Sequence, residues 1–266
     1  METRTSAFRY PLSTIHYQLD WMSTMNVLGV ILARAGSAGL KNKHLLKLLG
    51  KPVIGYTFEH VNAASLLTWV VVSSDSQDIL RLATAAGIET IVRPDKLATA
   101  DASVQDVMLH AMEQIEARSA FRADALVVLY GNVPVRPAGV INRAIQLLRE
   151  TRCDSVRSFS PVGKWHPGWM AQLKDDRVVP LQAGSIHRRQ DLAPLFLHDG
   201  AVVAVSRDSM LRGRANPADP HAFFGEDRRG FEVGVGETVE IDTLRDLYWA
   251  EAVLRAAHPD AMRIAS

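Results

Sequence analysis

The chain has 266 residues, of which 47% are apolar and 22% charged, and its formal net charge is +1. This length suits one large α/β domain, or one domain with an insertion, which needs neither a disulfide nor a structural metal. The single cysteine, Cys153, excludes a disulfide framework within one chain and predicts a reducing, cytoplasmic setting. Interspersed charges predict no nucleic-acid partner. The lack of an apolar stretch of about 18 residues predicts no membrane partner.

Residues 1–24 form the first segment of the chain, and they lack both a secretory apolar core and a clear periodicity. We expect either a loose extension or an upstream start, with Met25 as the true first residue. We assign no function to this segment.

Continuous apolar runs, which are typical of strands covered on both faces, predict four strands. They lie at residues 27–33, 69–74, 125–130 and 201–205. Helical patterns lie between them and after them, at residues 52–64, 76–87, 103–117, 137–150 and 243–257. This alternation predicts an α/β fold with a parallel sheet and helices on both faces.

The alternation stops after about residue 157 and resumes at residue 199. The stretch 158–198 holds four prolines, two tryptophans and the cluster RRQD. It is typical of an inserted arm of short strands and loops that extends toward a partner. The predicted division is therefore an extension at 1–24, a main domain of 25–157 with 199–266, and an arm at 158–198.

The first predicted strand ends in a loop that combines glycine with positive charge, ILARAGSAGLKNKH at residues 31–44. In a doubly wound sheet, ligands bind at the carboxyl ends of the strands. Glycines let the backbone approach a phosphate, and backbone N–H groups can then point at it. The loop is neither a Walker A loop nor G-x-G-x-x-G. Taken alone, it fits a simple tight turn equally well.

The string from Ala33 to Lys43 resembles A-R-x-G-S-x-G-[IL]-x-x-K. This is the first motif of the cytidylyltransferases that activate nine- and eight-carbon α-keto acid sugars, the CMP-sialic acid and CMP-Kdo synthetases. The resemblance extends over roughly residues 27–257 and implies a Rossmann-like nucleotidyltransferase sheet with a small inserted dimerisation arm. It also implies that this loop holds the triphosphate of CTP, through Ala33, Arg34, Gly36, Ser37, Gly39 and Lys43. Two departures are Ala38, where the family usually has Lys, and His44, where it usually has Asn.

Two further segments resemble the same family. VVVSSDSQDI at residues 70–79 is similar to its second motif, which implies nucleotide contacts for Ser73 and Ser74. The alternative is that Asp75 or Ser76 simply caps the next helix. Residues 93–112 resemble the segment R-P-x-x-L-A-x-D-x-A-S and imply a substrate loop containing Arg93 and Asp101.

The implied sugar site is where the sequence departs most from the family. LYGNVPVR at residues 129–136 replaces L-Q-P-T-S-P-L-R, so that Tyr130 and Asn132 stand in place of Gln and Thr, while Arg136 is kept. Residues 186–205 resemble R-R-Q-x-L-P-x-x-x-x-x-N-G-A-I-Y. A planar guanidinium suits a carboxylate, and the resemblance implies that Arg189, with Arg188, binds the sugar carboxylate. The predicted sugar-binding residues are Tyr130, Asn132, Arg136, Arg188 and Arg189.

The sequence VEID at residues 239–242 resembles the family's aspartate pair, with Glu240 in the first place. Residues two apart on a strand face the same way, so Glu240 and Asp242 are expected side by side. Two adjacent carboxylates repel unless a cation lies between them, and Mg²⁺ prefers carboxylates and phosphate oxygens. We therefore predict a magnesium site at this pair. The alternative is that Asp242 caps the final helix and Glu240 is a surface residue.

The combined motifs predict an enzyme that transfers CMP from CTP to the anomeric hydroxyl of an acidic, sialic acid-like sugar and releases pyrophosphate. Its catalytic residues would be Arg34, Lys43 and Asp242, and the resemblance implies a homodimer. Two alternatives remain at this point. One is a nucleotidyltransferase of the same fold with another sugar acceptor, and the other is a nucleotide-binding relative that does not catalyse.

Overall fold

The computed structural model describes residues 25–36, 39–182 and 188–257, with the backbone alone at Arg189. A seven-stranded sheet with helices on both faces forms the centre, and two small two-stranded sheets flank it. The predicted α/β fold is therefore confirmed. The predicted extension at residues 1–24 lies outside the described part.

The regular elements follow the predicted order closely, with several additions. The strands are β1 Val27–Leu32, β2 Lys47–Leu48, β3 Lys51–Pro52, β4 Trp69–Ser74, β5 Glu89–Val92, β6 Ala125–Tyr130, β7 Ser155–Pro161, β8 Ala171–Lys174, β9 Arg177–Pro180, β10 Phe196–Ser206 and β11 Arg228–Glu232. The helices are α1 Val53–Asn62, α2 Gln77–Ala85, α3 Val104–Arg118, α4 Val140–Thr151, α5 Arg207–Gly213 and α6 Leu244–Ala257.

The central sheet is mixed, in the order β11-β7-β10-β6-β1-β4-β5. Strands β6, β1, β4 and β5 run parallel, whereas β10 is antiparallel to both β6 and β7. The prediction of a parallel sheet is therefore wrong for β10. An apolar run shows that a strand is buried but does not show its direction. Here the arm, rather than a crossover helix, connects β7 to β10, and the chain returns antiparallel.

Two apolar layers cover the sheet and fix its position. One face packs against α1, α2 and α4, through side chains such as Ile54, Ile79 and Ile145. The other face packs against α3 and α5, through Met108 and Met210. Among the described residues, no helix combines the length and the apolar character that a bilayer span requires.

The segment between β7 and β10 leaves the main sheet. Because β7 extends to Pro161 and β10 begins at Phe196, the part outside the sheet is shorter than predicted, at residues 162–195. Strands β8 and β9 form an antiparallel hairpin whose residues are all exposed. Leu173 and Val178 pair across it and are 77% and 68% exposed. The hairpin thus presents apolar side chains that nothing in the described chain covers.

Arg136 is a buried guanidinium that joins three elements. It donates hydrogen bonds to the carbonyls of Tyr130 (2.7 Å), Val133 (2.6 Å) and Ala201 (2.8 Å). It also donates to the Thr57 hydroxyl in α1 (3.0 Å). Burial lowers the pKa of Arg136 to about 9, which leaves it charged at neutral pH. Removing it would leave several buried carbonyls without donors, so it holds the end of β6 against β10 and α1.

The segment before α6 closes the carboxyl end of the sheet. Its Val239 N–H donates to the Val135 carbonyl (3.2 Å), and its Ile241 N–H donates to the Asn132 carbonyl (2.8 Å). Asp242 then receives the loop after β1, since the Leu40 N–H donates to its carbonyl (3.1 Å). A Cβ added at Gly39 would lie 2.6 Å from this carbonyl oxygen. Only a glycine lets the two backbones approach this closely.

We expect Gly39→Ala to lower the free energy of unfolding by about 1–3 kcal/mol, because the new methyl group would push the loop away from Asp242. Urea unfolding followed by circular dichroism measures this change. Gly36→Ala is the matched control in the same loop, because its nearest neighbour would be an Arg34 nitrogen at 3.9 Å. It should change stability by no more than about 0.5 kcal/mol. Equal effects of the two substitutions would contradict the close approach at Gly39.

Candidate active site

A pocket of about 180 Å³ lies beyond the carboxyl ends of β1 and β6. Polar side chains from segments that are far apart in the sequence line it. They are the cations Arg34, Lys43 and Arg93, the imidazole of His44, the phenol of Tyr130, the amide of Asn132 and the carboxylate of Glu240. The rest of the lining comes mainly from the substrate loop predicted from sequence, at Leu97, Thr99, Ala100, Ala102, Val104 and Val107.

The end of β4 supports the loop after β1. The Asp75 carboxylate accepts a hydrogen bond from the Ala35 N–H (2.7 Å), while Ser76 caps α2 by accepting from the Ile79 N–H (3.4 Å). Ser73 and Ser74 are both fully buried. The Ser73 hydroxyl accepts from Arg93 Nε (3.2 Å), and the Ser74 hydroxyl accepts from the Ser76 N–H (3.0 Å). This placement favours a supporting role for the two serines over the predicted nucleotide contact.

Arg93 carries a second buried guanidinium at the pocket. Besides the Ser73 hydroxyl, it binds the Ser73 carbonyl through Nη2 (2.8 Å). Burial lowers the pKa of Arg93 to about 10, while Asp75 favours its charged form and Arg34 opposes it. Arg93 therefore remains a cation on the pocket wall beside Arg34.

Arg34 and Lys43 supply the positive charge of the loop. Both side chains line the pocket, and Lys43 Nζ lies 2.6 Å from an Asp242 carboxylate oxygen. No ion pair of Arg34 is present among the residues described. The structure thus places these two predicted catalytic residues at one pocket and pairs Lys43 with Asp242. The predicted contact Ser37, and the departure at Ala38, lie outside the described residues.

His44 fills space that Gly131 leaves open. His44 is buried, and a Cβ added at Gly131 would lie only 3.0 Å from His44 Cδ2. Burial, together with Lys43 and Arg93, lowers the pKa of His44 to about 4, although a hydrogen bond with the Arg34 backbone opposes this. The ring is therefore neutral at pH 7. The departure at His44 is accommodated by packing and adds no charge to the pocket.

Asn132 holds the predicted carboxylate pair together. Its Nδ2 group donates to Glu240 Oε1 (3.2 Å) and to the Ile241 carbonyl (2.9 Å), and it lies 3.5 Å from Asp242 Oδ1. Asn132 is itself buried. Its amide therefore supports the carboxylates directly, in addition to any sugar contact that the sequence predicted for it.

Asp242 does not cap the last helix, so the alternative interpretation of this residue is wrong. Thr243 accepts a hydrogen bond from the Asp246 N–H (3.4 Å), and Asp246 accepts from the Thr243 N–H (2.8 Å). This reciprocal pair is a capping box. It leaves the Asp242 carboxylate available to Lys43. The segment itself forms an isolated bridge with Val135 rather than the predicted strand.

Glu240 lines the pocket near Asp242 and Tyr130. Burial away from water is the main cause that raises the pKa of Glu240, and the nearby Asp242 charge adds to it. A hydrogen bond from Asn132 and the charges of Lys43 and Arg136 oppose this rise. Burial and the Glu240 charge raise the pKa of Tyr130 to about 12, so its hydroxyl stays protonated at neutral pH. Glu240 and Asp242 lie close enough to repel each other, and a cationic ligand beside them would reduce this repulsion.

The predicted sugar-binding residues do not all meet at the pocket. Tyr130 and Asn132 line it, but Arg136 lies in the interior with its donors bound to backbone carbonyls. Arg188 is exposed and forms a two-point ion pair with Asp191 (2.8 and 3.1 Å). The Arg189 side chain lies outside the described part. The prediction of a sugar contact for Arg136 is thus not favoured, since its polar atoms are already bound.

Sequence reasoning missed the position of His44 in the pocket wall. The sequence marks His44 only as a departure from a motif, although a histidine beside a glycine loop is a signal for such a position.

Several known proteins that are similar to this chain are named cytidylyltransferases of acidic sugars. The N-acylneuraminate cytidylyltransferase of Streptococcus agalactiae serotype III is 28% identical over 226 residues, 84% of this chain and 52% of that protein. The chain therefore spans about half the length of this relative. The pseudaminic acid cytidylyltransferase of Campylobacter jejuni is 29% identical over 241 residues, 89% of this chain and 100% of that protein.

A solved structure shares the fold. CMP:2-keto-3-deoxy-manno-octonic acid synthetase complexed with CTP superposes with a TM-score of 0.68 at 20% identity, over 88% of this chain and 100% of that chain. The family model described as Cytidylyltransferase matches residues 28–253, which include the loop, the pocket and the carboxylate pair. The chain belongs to the cytidylyltransferase family.

Proposed function

We propose that this protein transfers CMP from CTP to the anomeric hydroxyl of an acidic α-keto sugar, a sialic acid-like nonulosonate, and releases pyrophosphate. The observation that carries the proposal is the contact between the cationic loop and the carboxylate pair. Lys43 Nζ lies 2.6 Å from Asp242, and the Leu40 N–H binds the Asp242 carbonyl. The names of the relatives, which include N-acylneuraminate, pseudaminic acid and legionaminic acid enzymes, support this acceptor class.

The loop end of the pocket suits the nucleotide. Arg34 and Lys43 offer two cations to the phosphates, with Arg93 beside them. Fixed positive groups stabilise charge that develops on phosphate oxygens as the bond to pyrophosphate breaks. Asp75 holds the loop backbone through Ala35, which keeps these groups in position.

The carboxylate pair fits a divalent cation such as magnesium. Glu240 and Asp242 share the Asn132 amide and repel each other, so a cation between them would be favourable. In the described chain, no group of three or more His, Cys, Asp or Glu side chains could hold a metal ion. Phosphate oxygens and water would therefore complete the coordination. When bound, magnesium would neutralise phosphate charge and orient the triphosphate.

The proposed reaction needs little covalent chemistry from the protein. The anomeric hydroxyl oxygen forms a bond to the α-phosphorus, and the bond from that phosphorus to the oxygen that bridges the α- and β-phosphates breaks. Pyrophosphate leaves with the electrons of that bond, and the hydroxyl proton passes to solvent. Arg34 and Lys43 would stabilise the leaving pyrophosphate. Positioning the two substrates in line supplies most of the remaining rate gain.

Two observations bear on the alternatives. Tyr130 and Asn132 differ from the family motif at the pocket, which supports an acceptor that differs from sialic acid itself. A purely nucleotide-binding relative would have no need of a carboxylate pair, whereas here Asn132, Lys43 and the Leu40 amide all support that pair.

The proposal includes a cytoplasmic setting, which the single buried Cys153 supports.

Pyrophosphate release tests this function directly. We expect release with CTP, magnesium and one of the four sugars N-acetylneuraminate, legionaminate, pseudaminate and 2-keto-3-deoxy-manno-octonate, and no release with the other three nucleoside triphosphates. Asp242→Asn should lower kcat/KM by at least about 100-fold, since charge stabilisation worth several kcal/mol would be lost. Asp208→Asn, an exposed aspartate at the start of α5, is the control. Release that Asp242→Asn leaves intact would contradict the assigned site.

We further propose that the protein is a homodimer formed through the arm. The exposed apolar hairpin supports this, and so does Trp165 beside it, at 65% exposure. A second copy of the chain would cover these side chains.

Sedimentation velocity should find a dimer that Val178→Glu converts to a monomer, because a charge in an apolar interface is unfavourable. Val92→Glu, at a residue 63% exposed on the opposite edge of the sheet, is the matched control and should remain dimeric. A wild-type monomer at micromolar concentration would contradict the proposal.

A further inference from the structure

Lys43 is the side chain that brings positive charge into contact with the carboxylate pair. Its Nζ atom lies 2.6 Å from Asp242 Oδ1. The same oxygen lies 3.5 Å from the Asn132 amide, which also donates to Glu240. The charge of the Lys43 ammonium stabilises the charged form of Glu240 as well. Lys43 therefore supplies the positive charge that two neighbouring carboxylates need.

The other two cations that line the pocket are placed differently. Arg93 binds the Ser73 carbonyl through Nη2 (2.8 Å), on the wall away from the pair. Arg34 lines the pocket but forms no ion pair with a described residue. Within the described part of the chain, Lys43 is thus the pocket cation that contacts the pair.

The backbone of Lys43 is fixed, whereas its side chain can turn. Lys43–Leu45 is a short 3₁₀ helix, in which the Leu45 N–H donates to the Asn42 carbonyl (2.9 Å). The middle residue of this helix, His44, is buried and holds it in place. The four-carbon stem of a lysine has several rotatable bonds. The ammonium can therefore change its partner without a movement of the loop.

The pair formed by Lys43 and Asp242 is of a kind that exchanges readily. The Lys43 side chain is 14% exposed, but that of Asp242 is 62% exposed. Water competes for an exposed carboxylate, so such an ion pair contributes little to stability. A divalent cation carries twice the charge and binds carboxylate oxygens directly. Because two cations on one carboxylate repel each other, Lys43 and a divalent cation would use Asp242 in turn.

A second partner for Lys43 would lie in the same pocket. Lys43 lines the pocket together with Arg34, at the end proposed for the nucleotide phosphates. An ammonium that is held by Asp242 offers less of its charge to a phosphate than a free ammonium does. Release from Asp242 would therefore make Lys43 a better phosphate ligand.

We propose that Lys43 is an exchangeable counter-ion of the carboxylate pair, which leaves Asp242 for the nucleotide phosphates when a divalent cation binds to the pair. This inference rests on the function proposed above and names the residue that couples its metal to its nucleotide. Since the released ammonium strengthens nucleotide binding, each ligand favours the binding of the other. The carboxylates are neutralised in both arrangements.

Titration of Mn²⁺ alone into the full-length protein, with free Mn²⁺ measured by electron paramagnetic resonance, tests the exchange. Mn²⁺ suits the same oxygen ligands as Mg²⁺. We expect Lys43→Gln to raise the affinity for Mn²⁺ about 10-fold, because the competing cation is gone. The same variant should bind CTP about 10-fold more weakly in excess magnesium, because a charged phosphate contact is lost. A purely structural role of Lys43 would not move the two affinities in opposite directions.

Lys41→Gln is the matched control, since Lys41 is exposed in the same loop and does not line the pocket. It removes the same charge and should change both affinities by less than about threefold. A folded Lys43→Gln that binds Mn²⁺ no better than the wild type overturns the exchange, and so does a result in which neither protein binds Mn²⁺. Failure of the wild type to bind CTP overturns the proposed function, and the coupling to the nucleotide with it.

Lysine acetylation by an activated ester, located by mass spectrometry, tests the same exchange in the unaltered protein. An ammonium held against Asp242 is shielded from the reagent, so we expect excess magnesium alone to raise the acetylation rate of Lys43 at least about threefold. The rate at Lys41 should stay the same. In Asp242→Asn, Lys43 should react rapidly with and without magnesium. A wild-type Lys43 rate that does not respond to magnesium would contradict the proposal.

Discussion

Two carboxylates held side by side need positive charge and fixed donors around them, and much of this site follows from that requirement. Glu240 and Asp242 share the Asn132 amide, and Lys43 pairs with Asp242. The backbone takes part as well, because the Leu40 N–H binds the Asp242 carbonyl and Gly39 permits the approach. Segments nearly 200 residues apart are thereby joined into one site. The sheet supplies the rigid edge on which this contact forms.

The arginines around the pocket divide into two groups. Arg93 and Arg136 are buried and bound to backbone carbonyls, so they hold the ends of β4 and β6 in place. Arg34 lines the pocket and has no carboxylate partner among the described residues. A fixed frame with a cation on the pocket wall suits an anionic substrate, because the substrate can be bound and oriented by its own charge.

The sequence predicted the elements that depend on local pattern. The apolar runs at 27–33, 69–74 and 125–130 became β1, β4 and β6, and Ser76 caps the following helix, as one interpretation of the sequence expected. The loop motif and the carboxylate pair were predicted to belong to one site, and the structure brings Lys43 to Asp242. These features depend on residue type and spacing, which a sequence displays.

Other features depend on tertiary contacts and could not be predicted in this way. The direction of β10 is set by the arm that precedes it. Arg136 resembles a surface sugar ligand in sequence, but the carbonyls of Tyr130, Val133 and Ala201 surround it in the fold. Asp242 stands where a helix cap is expected, yet Thr243 and Asp246 cap the helix instead.

The central claim is that the cationic loop and the carboxylate pair form one site for a nucleoside triphosphate with a divalent cation. Calorimetric titration of CTP, with and without magnesium, into wild-type protein and Asp242→Asn tests it most directly. The account predicts that magnesium strengthens CTP binding in the wild type and has no such effect in Asp242→Asn. Failure of the wild type to bind CTP, or an equal effect of magnesium in both proteins, would contradict it.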